Sequence, residues 1–105
     1  MAEEITVQEL ARQIESGARV VDVREPSEYA EAHVPGVELI PLDTVPDALD
    51  RLLGTDDTIY VICRSGARSL RAADYLESQG ATAVSVAGGT LAWVESGYSY
   101  ETGDD

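Results

Sequence analysis

The chain has 105 residues, 44% apolar and 6% aromatic with no Phe, enough for one core of mainly Val, Leu, Ile and Ala and too few for two. Twenty acids against seven arginines, with no lysine, give a net charge of −13; such a surface repels nucleic acid and anionic membrane faces alike. The single cysteine rules out an intramolecular disulfide, a CxxC redox pair and a cysteine-based zinc site, but not a reactive thiol.

The opening MAEEITVQEL is acidic and has no apolar signal region, and no later run reaches the length of a membrane span. A cytoplasmic protein is expected, in a reducing compartment that suits a free thiol. Glu3, Glu4, Asp104 and Asp105 read as solvated ends of one domain over 1–105, with its core from about 5 to 100. Thr6 and Glu9 stand in capping-box spacing, and Ile5 and Leu10 where a hydrophobic staple places them. Leu10, Ala11 and Ile14 then recur at helical period up to Gly17, a C-terminal stop.

ARVVDV reads as a buried strand around 19–23. A short helix starts near Pro26 and ends at the His33-Val34-Pro35-Gly36 turn. VELIPL is a further strand, and DTVPDALDRLLG a helix with Leu49, Leu52 and Leu53 inward. TIYVIC is the most strand-like run and ends on Cys63; the loop SGA leads from it into ARSLRAADYLESQG, a helix with Leu70, Ala73 and Leu76 on one face. ATAVSVAGG is another strand and TLAWVESG a last short helix. This alternation predicts an α/β fold with a mostly parallel central sheet of about five strands and helices on both faces. Ligands of such sheets bind beyond the carboxyl ends of the strands, which is where Cys63 falls.

A thiol attacks as thiolate, and a free cysteine is only about 3% ionised at pH 7. The helix that follows Cys63 offers unpaired N–H groups and a positive dipole end, and Gly66 lets the backbone curl into an anion nest. Arg64, Arg68 and Arg71 add three cationic groups, and no acid occurs from 58 to 73. Outside 64–71 four arginines face all twenty acids, so the positive charge is local to the thiol. A pKa lowered by about two units would leave roughly three-quarters of the thiol ionised at pH 7.

With these residues in view, the chain resembles a single-domain rhodanese, the sulfurtransferase family, from about Ile5 to Tyr100. DVREPSEYAEAHVPG is similar to the family's first signature, CRSGARS to its active-site loop and VAGGTLAWVESGY to its C-terminal signature. Ala32 and Val34 stand where Gly and Ile are usual. The resemblance implies a sulfane sulfur taken from a donor such as thiosulfate onto Cys63 as a persulfide and passed to a thiophilic acceptor. The loop residues Arg64, Ser65, Gly66, Ala67, Arg68 and Ser69 would bind the substrate: their N–H groups hold the persulfide anion, and the Arg64 and Arg68 side chains attract a small anionic donor, thiosulfate or a protein persulfide.

With no second cysteine to resolve it, the acceptor is external: a thiol, cyanide or a sulfur-carrier protein. No cofactor and no metal is called for. Cysteine phosphatases and arsenate reductases use a similar loop with five residues between Cys and Arg; here Arg64, Ser65, Gly66 and Ala67, four residues, separate Cys63 from Arg68, a tighter cradle. A rhodanese-like binding or regulatory module without catalysis is the third reading.

Other residues fit blander roles. His33, the only histidine, reads as turn-stabilising. Asp22 and Arg24 read as an ion pair that braces the loops in support of the site. Trp93 reads as core, and Gly88 and Gly89 as a tight turn beside the active loop. Ser65 and Ser69 either bond toward the sulfur or cap the helix. Two causes account for the missing lysines: a salt-rich cytoplasm or a GC-rich genome that trades Lys for Arg. Salt adaptation predicts that the domain gains stability up to molar salt, as screening relieves repulsion among the acids; a flat melting temperature across a salt series would leave genome bias as the account.

Overall fold

The computed structural model describes residues 2–103, so the expectation for Asp104 and Asp105 lies outside the described residues. In chain order the elements are β1 (Glu3–Ile5), α1 (Val7–Glu15), β2 (Arg19–Asp22), α2 (Pro26–Glu31), β3 (Glu38–Leu39), α3 (Leu49–Leu52), β4 (Ile59–Ile62), α4 (Ala67–Ser78), β5 (Ala83–Val86) and α5 (Gly89–Glu95). The five strands form one sheet in the order β1-β5-β4-β2-β3, and every pairing is parallel. Its central strand, β4, is the one that leads into Cys63.

The two-residue period of a strand sends alternate side chains to opposite faces, and the core divides accordingly. On one face Val21, Ile59, Val61 and Cys63 pack with Leu52 of α3 and with Ala72, Ala73 and Leu76 of α4. On the other, Val20, Ile62 and Val86 pack with Val7 and Leu10 of α1, Tyr29 of α2 and Trp93 of α5. The sheet is thus covered on both sides, as its apolar runs require. Small residues at 72 and 73 bring α4 close to the sheet beneath Cys63.

Local signals act as expected at several points. Thr6 caps α1, its hydroxyl accepting from the Glu9 N–H at 3.1 Å. The reciprocal half of the capping box does not form there, because the Glu9 carboxylate is taken by Arg12 and Gln13. A complete box closes α2 instead, between Glu25 and Glu28, with Pro26 in the first turn.

The structure corrects four expectations. Glu3 and Glu4 do have exposed side chains, but their backbone forms the edge strand β1 with Ile5, in register with Val84, Ser85 and Val86. The strand expected over VELIPL pairs as a regular ladder only at Glu38 and Leu39; beyond them the Ile40 and Leu42 N–H groups still donate to the Asp22 and Val23 carbonyls at 2.9 and 3.0 Å, as single bonds outside the ladder. The helix expected from 43 to 54 is broken into tight turns at Leu42–Thr44 and Pro46–Ala48 before α3; Pro46 interrupts it, and Leu53, expected inward, is 39% exposed. The buried face of α4 is Ser69, Ala72, Ala73 and Leu76, with Leu70 only half-buried.

His33 is buried; its Nδ1–H donates to the Tyr29 carbonyl at 2.7 Å and its ring stacks on Tyr29 at 3.7 Å. Its backbone exchanges two hydrogen bonds of 2.8 Å with Glu101. Both contacts serve the turn, as the sequence suggests. Trp93 is buried, and its indole N–H donates to the Ser99 carbonyl at 2.8 Å. Ile59, fully buried at the base of the central strand, tests the packing: Ile59→Ala should cost about 2–5 kcal/mol, read as a lower urea midpoint at unchanged slope.

Candidate active site

Cys63 follows β4 directly and is 1% exposed. The next residues turn into α4 through Gly66, whose φ of +116° lies in the left-handed region that favours glycine. Gly66 is the N-cap of α4 and no side chain caps the helix, so its first-turn amides are free to face an anion. The Gly66 N–H donates to Cys63 Sγ at 3.1 Å, and the backbone amides of Ser69 and Ser65 favour the thiolate in the same sense. Ser69 Oγ lies 3.4 Å from Sγ.

These donors decide the state of the thiol. Burial alone pushes the Cys63 pKa up, but the Ser69 hydroxyl and the amides of Ser69, Gly66 and Ser65 outweigh it and hold the thiol below its ordinary range. The stabilisation comes chiefly from backbone and hydroxyl groups, while Arg68 lies close enough for its charge and that of the thiolate to favour each other.

The loop takes this shape because a second element grips it from behind. The carbonyl of Cys63 accepts from the Thr90 N–H at 2.8 Å and the Thr90 hydroxyl at 3.1 Å, and the carbonyl of Arg64 accepts from the Leu91 N–H at 3.1 Å. Both donors belong to the first turn of α5. A Cβ on Gly89, at φ +57°, would come within 2.4 Å of the Cys63 carbonyl oxygen and 2.6 Å of the Arg64 carbonyl; only glycine allows this approach. The turn foreseen at Gly88 and Gly89 is therefore a clamp on the active loop.

The remaining predicted residues separate by partner. Arg64, Ser65 and Ala67 are exposed at the rim, while Ser69 is fully buried. Arg68 is paired: its two terminal nitrogens each donate to one oxygen of Glu28 at 2.8 Å, a bidentate pair between α4 and α2. Asp22 and Arg24 form the expected pair at 2.7 Å, both buried. Arg24 also donates to the carbonyls of Glu28 at 3.2 Å and Ala32 at 2.8 Å, so it braces the segment opposite the loop. Among the described residues, no carboxylate pairs with Arg64 or Arg71.

Two participants went unnoticed in the sequence. Glu28 is one; nothing at position 28 announces a partner forty positions along the chain. Ser85 is the other, a fully buried hydroxyl on β5, 2.8 Å from Ser69 Oγ. Its only signal was a polar residue at the centre of an apolar strand, a position that demands a hydrogen-bond partner.

A buried thiol at a strand end, cradled by the amides of the following helix, defines the class: an α/β protein with a thiolate-stabilising loop. The chain belongs to the rhodanese-like domain family, whose model matches residues 6–96. It is 37% identical over 92 residues to the Bacillus subtilis protein named "putative sulfurtransferase YtwF", covering 86% of this chain and 88% of that one. It is 40% identical over 79 residues to the "putative sulfur carrier protein YrkF" of the same organism, covering 73% of this chain and 42% of that longer protein. Among solved structures, the rhodanese-related protein of Thermoplasma volcanium superposes with a TM-score of 0.85 at 32% identity, over 93% of this chain and 96% of the other.

The Ser69–Ser85 contact yields a test. The Ser69 hydroxyl donates to the Gly66 carbonyl at 3.1 Å; with Ser85 donating to Ser69, that one proton can turn from the carbonyl to the thiolate. Ser69→Ala should shift the pH profile of Cys63 alkylation to higher pH and slow alkylation at pH 7 roughly fivefold or more. Ser85→Ala should shift it less in the same direction, and should add nothing once Ser69 is gone; additive shifts would show that Ser85 acts by another route.

Proposed function

We propose that the protein is a sulfurtransferase that carries a sulfane sulfur on Cys63. The observation that supports this most is the set of amide and hydroxyl donors converging on Sγ, which favours a thiolate without any base beside it. In the first half-reaction the Cys63 thiolate attacks the outer sulfur of a donor. With thiosulfate, the bond to the inner sulfur breaks and its electron pair leaves on sulfite. In the second, an acceptor nucleophile attacks the outer persulfide sulfur, the S–S bond breaks and the thiolate returns. A thiol accepts the sulfur as its own persulfide, cyanide accepts it as thiocyanate, and a sulfur-carrier protein accepts it on a thiolate.

The same donors suit both states. In the persulfide the negative charge moves one atom outward, and amides from successive residues, Ser65 through Ser69, span that displacement. Asp22 and Arg24 act in support by fixing the facing segment. The phosphatase alternative needs a guanidinium free to grip a tetrahedral oxyanion; Arg68 is engaged by Glu28, and the loop is one residue short. The relatives' names point to sulfur handling, and sulfur-related partners follow for this chain.

Intact mass spectrometry tests the reading. After incubation with thiosulfate the chain should gain one sulfur atom, lose it to cyanide as thiocyanate, and gain none as Cys63→Ser. A chain that stays unmodified with every sulfane donor would indicate a binding module; hydrolysis of aryl phosphates without sulfur uptake would favour the phosphatase.

A further inference from the structure

We propose that Glu28 sets the donor preference of this site, turning it from dianions such as thiosulfate toward small organic persulfides that carry at most one net negative charge. The proposal rests on the sulfur-transfer reading and concerns which donor that site prefers.

The first observation is the pairing of charge around the thiol. Three guanidinium groups stand on or beside the loop: Arg24, Arg64 and Arg68. Arg24 is tied to Asp22 and Arg68 to both oxygens of Glu28. The Arg68 hydrogen bonds pull the Glu28 carboxyl down to about 2, so it is ionised at any working pH. Of these three, only Arg64 has no carboxylate partner among the described residues.

The second observation is the cavity beside the loop, about 230 Å³, lined by Arg24, Glu28, Glu31, Arg64, Leu91 and Val94 among others. Its charged lining is two guanidinium groups against two carboxylates, and the thiolate adds a negative charge. A dianion therefore meets no net attraction at the mouth and repulsion at the sulfur. Leu91 is 43% exposed and forms with Val94 an apolar wall for which thiosulfate has no carbon to offer. A small zwitterionic persulfide matches this lining: its carboxylate suits Arg64, its ammonium suits Glu31, and its carbon chain lies on the wall.

The chemistry balances with the protonated donor RS–SH. The Cys63 thiolate bonds to the outer sulfur, the RS–S bond breaks, and its electron pair leaves on the donor thiolate. The proton stays on the transferred sulfur until the loop amides favour its loss.

The test compares rate constants for sulfur loading from thiosulfate and from cysteine persulfide, followed by quenched intact mass in wild type and Glu28→Gln. Gln keeps an oxygen for the Glu25 N–H, which now donates to Glu28 at 3.0 Å, so the cap of α2 survives. Wild type should load faster from cysteine persulfide. Glu28→Gln should accelerate loading from thiosulfate about fivefold or more, because a removed charge acts twice on a dianion, while loading from cysteine persulfide changes less than about twofold. The gain should shrink as salt rises.

Glu31→Gln, at an exposed position with no ion-pair partner among the described residues, should move the ratio the same way by a smaller factor, and carries the test should Glu28→Gln melt early. An unchanged ratio in both variants, or equal slowing with both donors, overturns the proposal and leaves Glu28 as a brace for Arg68, with sulfur transfer intact. A wild-type chain that takes sulfur from neither donor overturns the sulfur-transfer reading and this one with it.

Discussion

The site depends on two carbonyls being turned away from it. A trans peptide unit is planar, with its C=O and N–H pointing in opposite directions. When the first turn of α5 captures the carbonyl of Arg64, the N–H of Ser65 is thereby aimed the other way, toward the sulfur. The Cys63 carbonyl is fixed by Thr90 in the same manner. The loop is thus held by two helix N-termini: α5 binds its carbonyls from behind and α4 supplies amides in front. Gly89 has to be glycine for the two backbones to come this close, and the parallel order of β4 beside β5 brings them together at one end of the sheet.

Charge plays a different part from the one composition suggests. Read along the chain, the arginines of CRSGARS look like a positive pool in an acidic protein. In three dimensions the folded chain supplies carboxylates from other segments: Glu28 of α2 meets Arg68, and Asp22 at the end of β2 meets Arg24. Surface ion pairs contribute little stability, but a bidentate pair across the strand ends fixes the position of α2 against α4. Paired in this way, Arg68 serves the architecture of the mouth, and fixed backbone dipoles with the Ser69 hydroxyl do most to stabilise the sulfur.

How much of this was legible in the sequence follows from the range of each interaction. Cys63 at a strand end, the Gly66 turn and the α4 start are local, and periodicity plus glycine placement revealed them. Edge strands are defined by a neighbour's backbone: Glu3, Glu4 and Ile5 carry no alternation of their own and become β1 through β5. The helix expected over 43–54 breaks at Pro46, whose missing N–H leaves no trace in the apolar spacing. Glu28 and Ser85 lay beyond reach for a different reason. Their partners, Arg68 and Ser69, are 40 and 16 positions away, and nothing in either neighbourhood specifies the match.

Burial of the Cys63 thiol sets what the loop has to supply. A thiolate at 1% exposure would be costly in an apolar pocket, and water would stabilise it at a surface but leave it mobile. The loop replaces water with dipoles that need not reorganise when charge moves from Sγ to a transferred sulfur in the proposed cycle. Such a device responds to the position of charge over an atom or so and is indifferent to what delivered it. Discrimination among donors then has to come from the mouth, where side chains differ in charge and apolar surface. In this chain those are Glu28, Glu31, Arg64 and Leu91, so that on the proposed reading the cradle that stabilises sulfur and the rim that selects its source are separate structures.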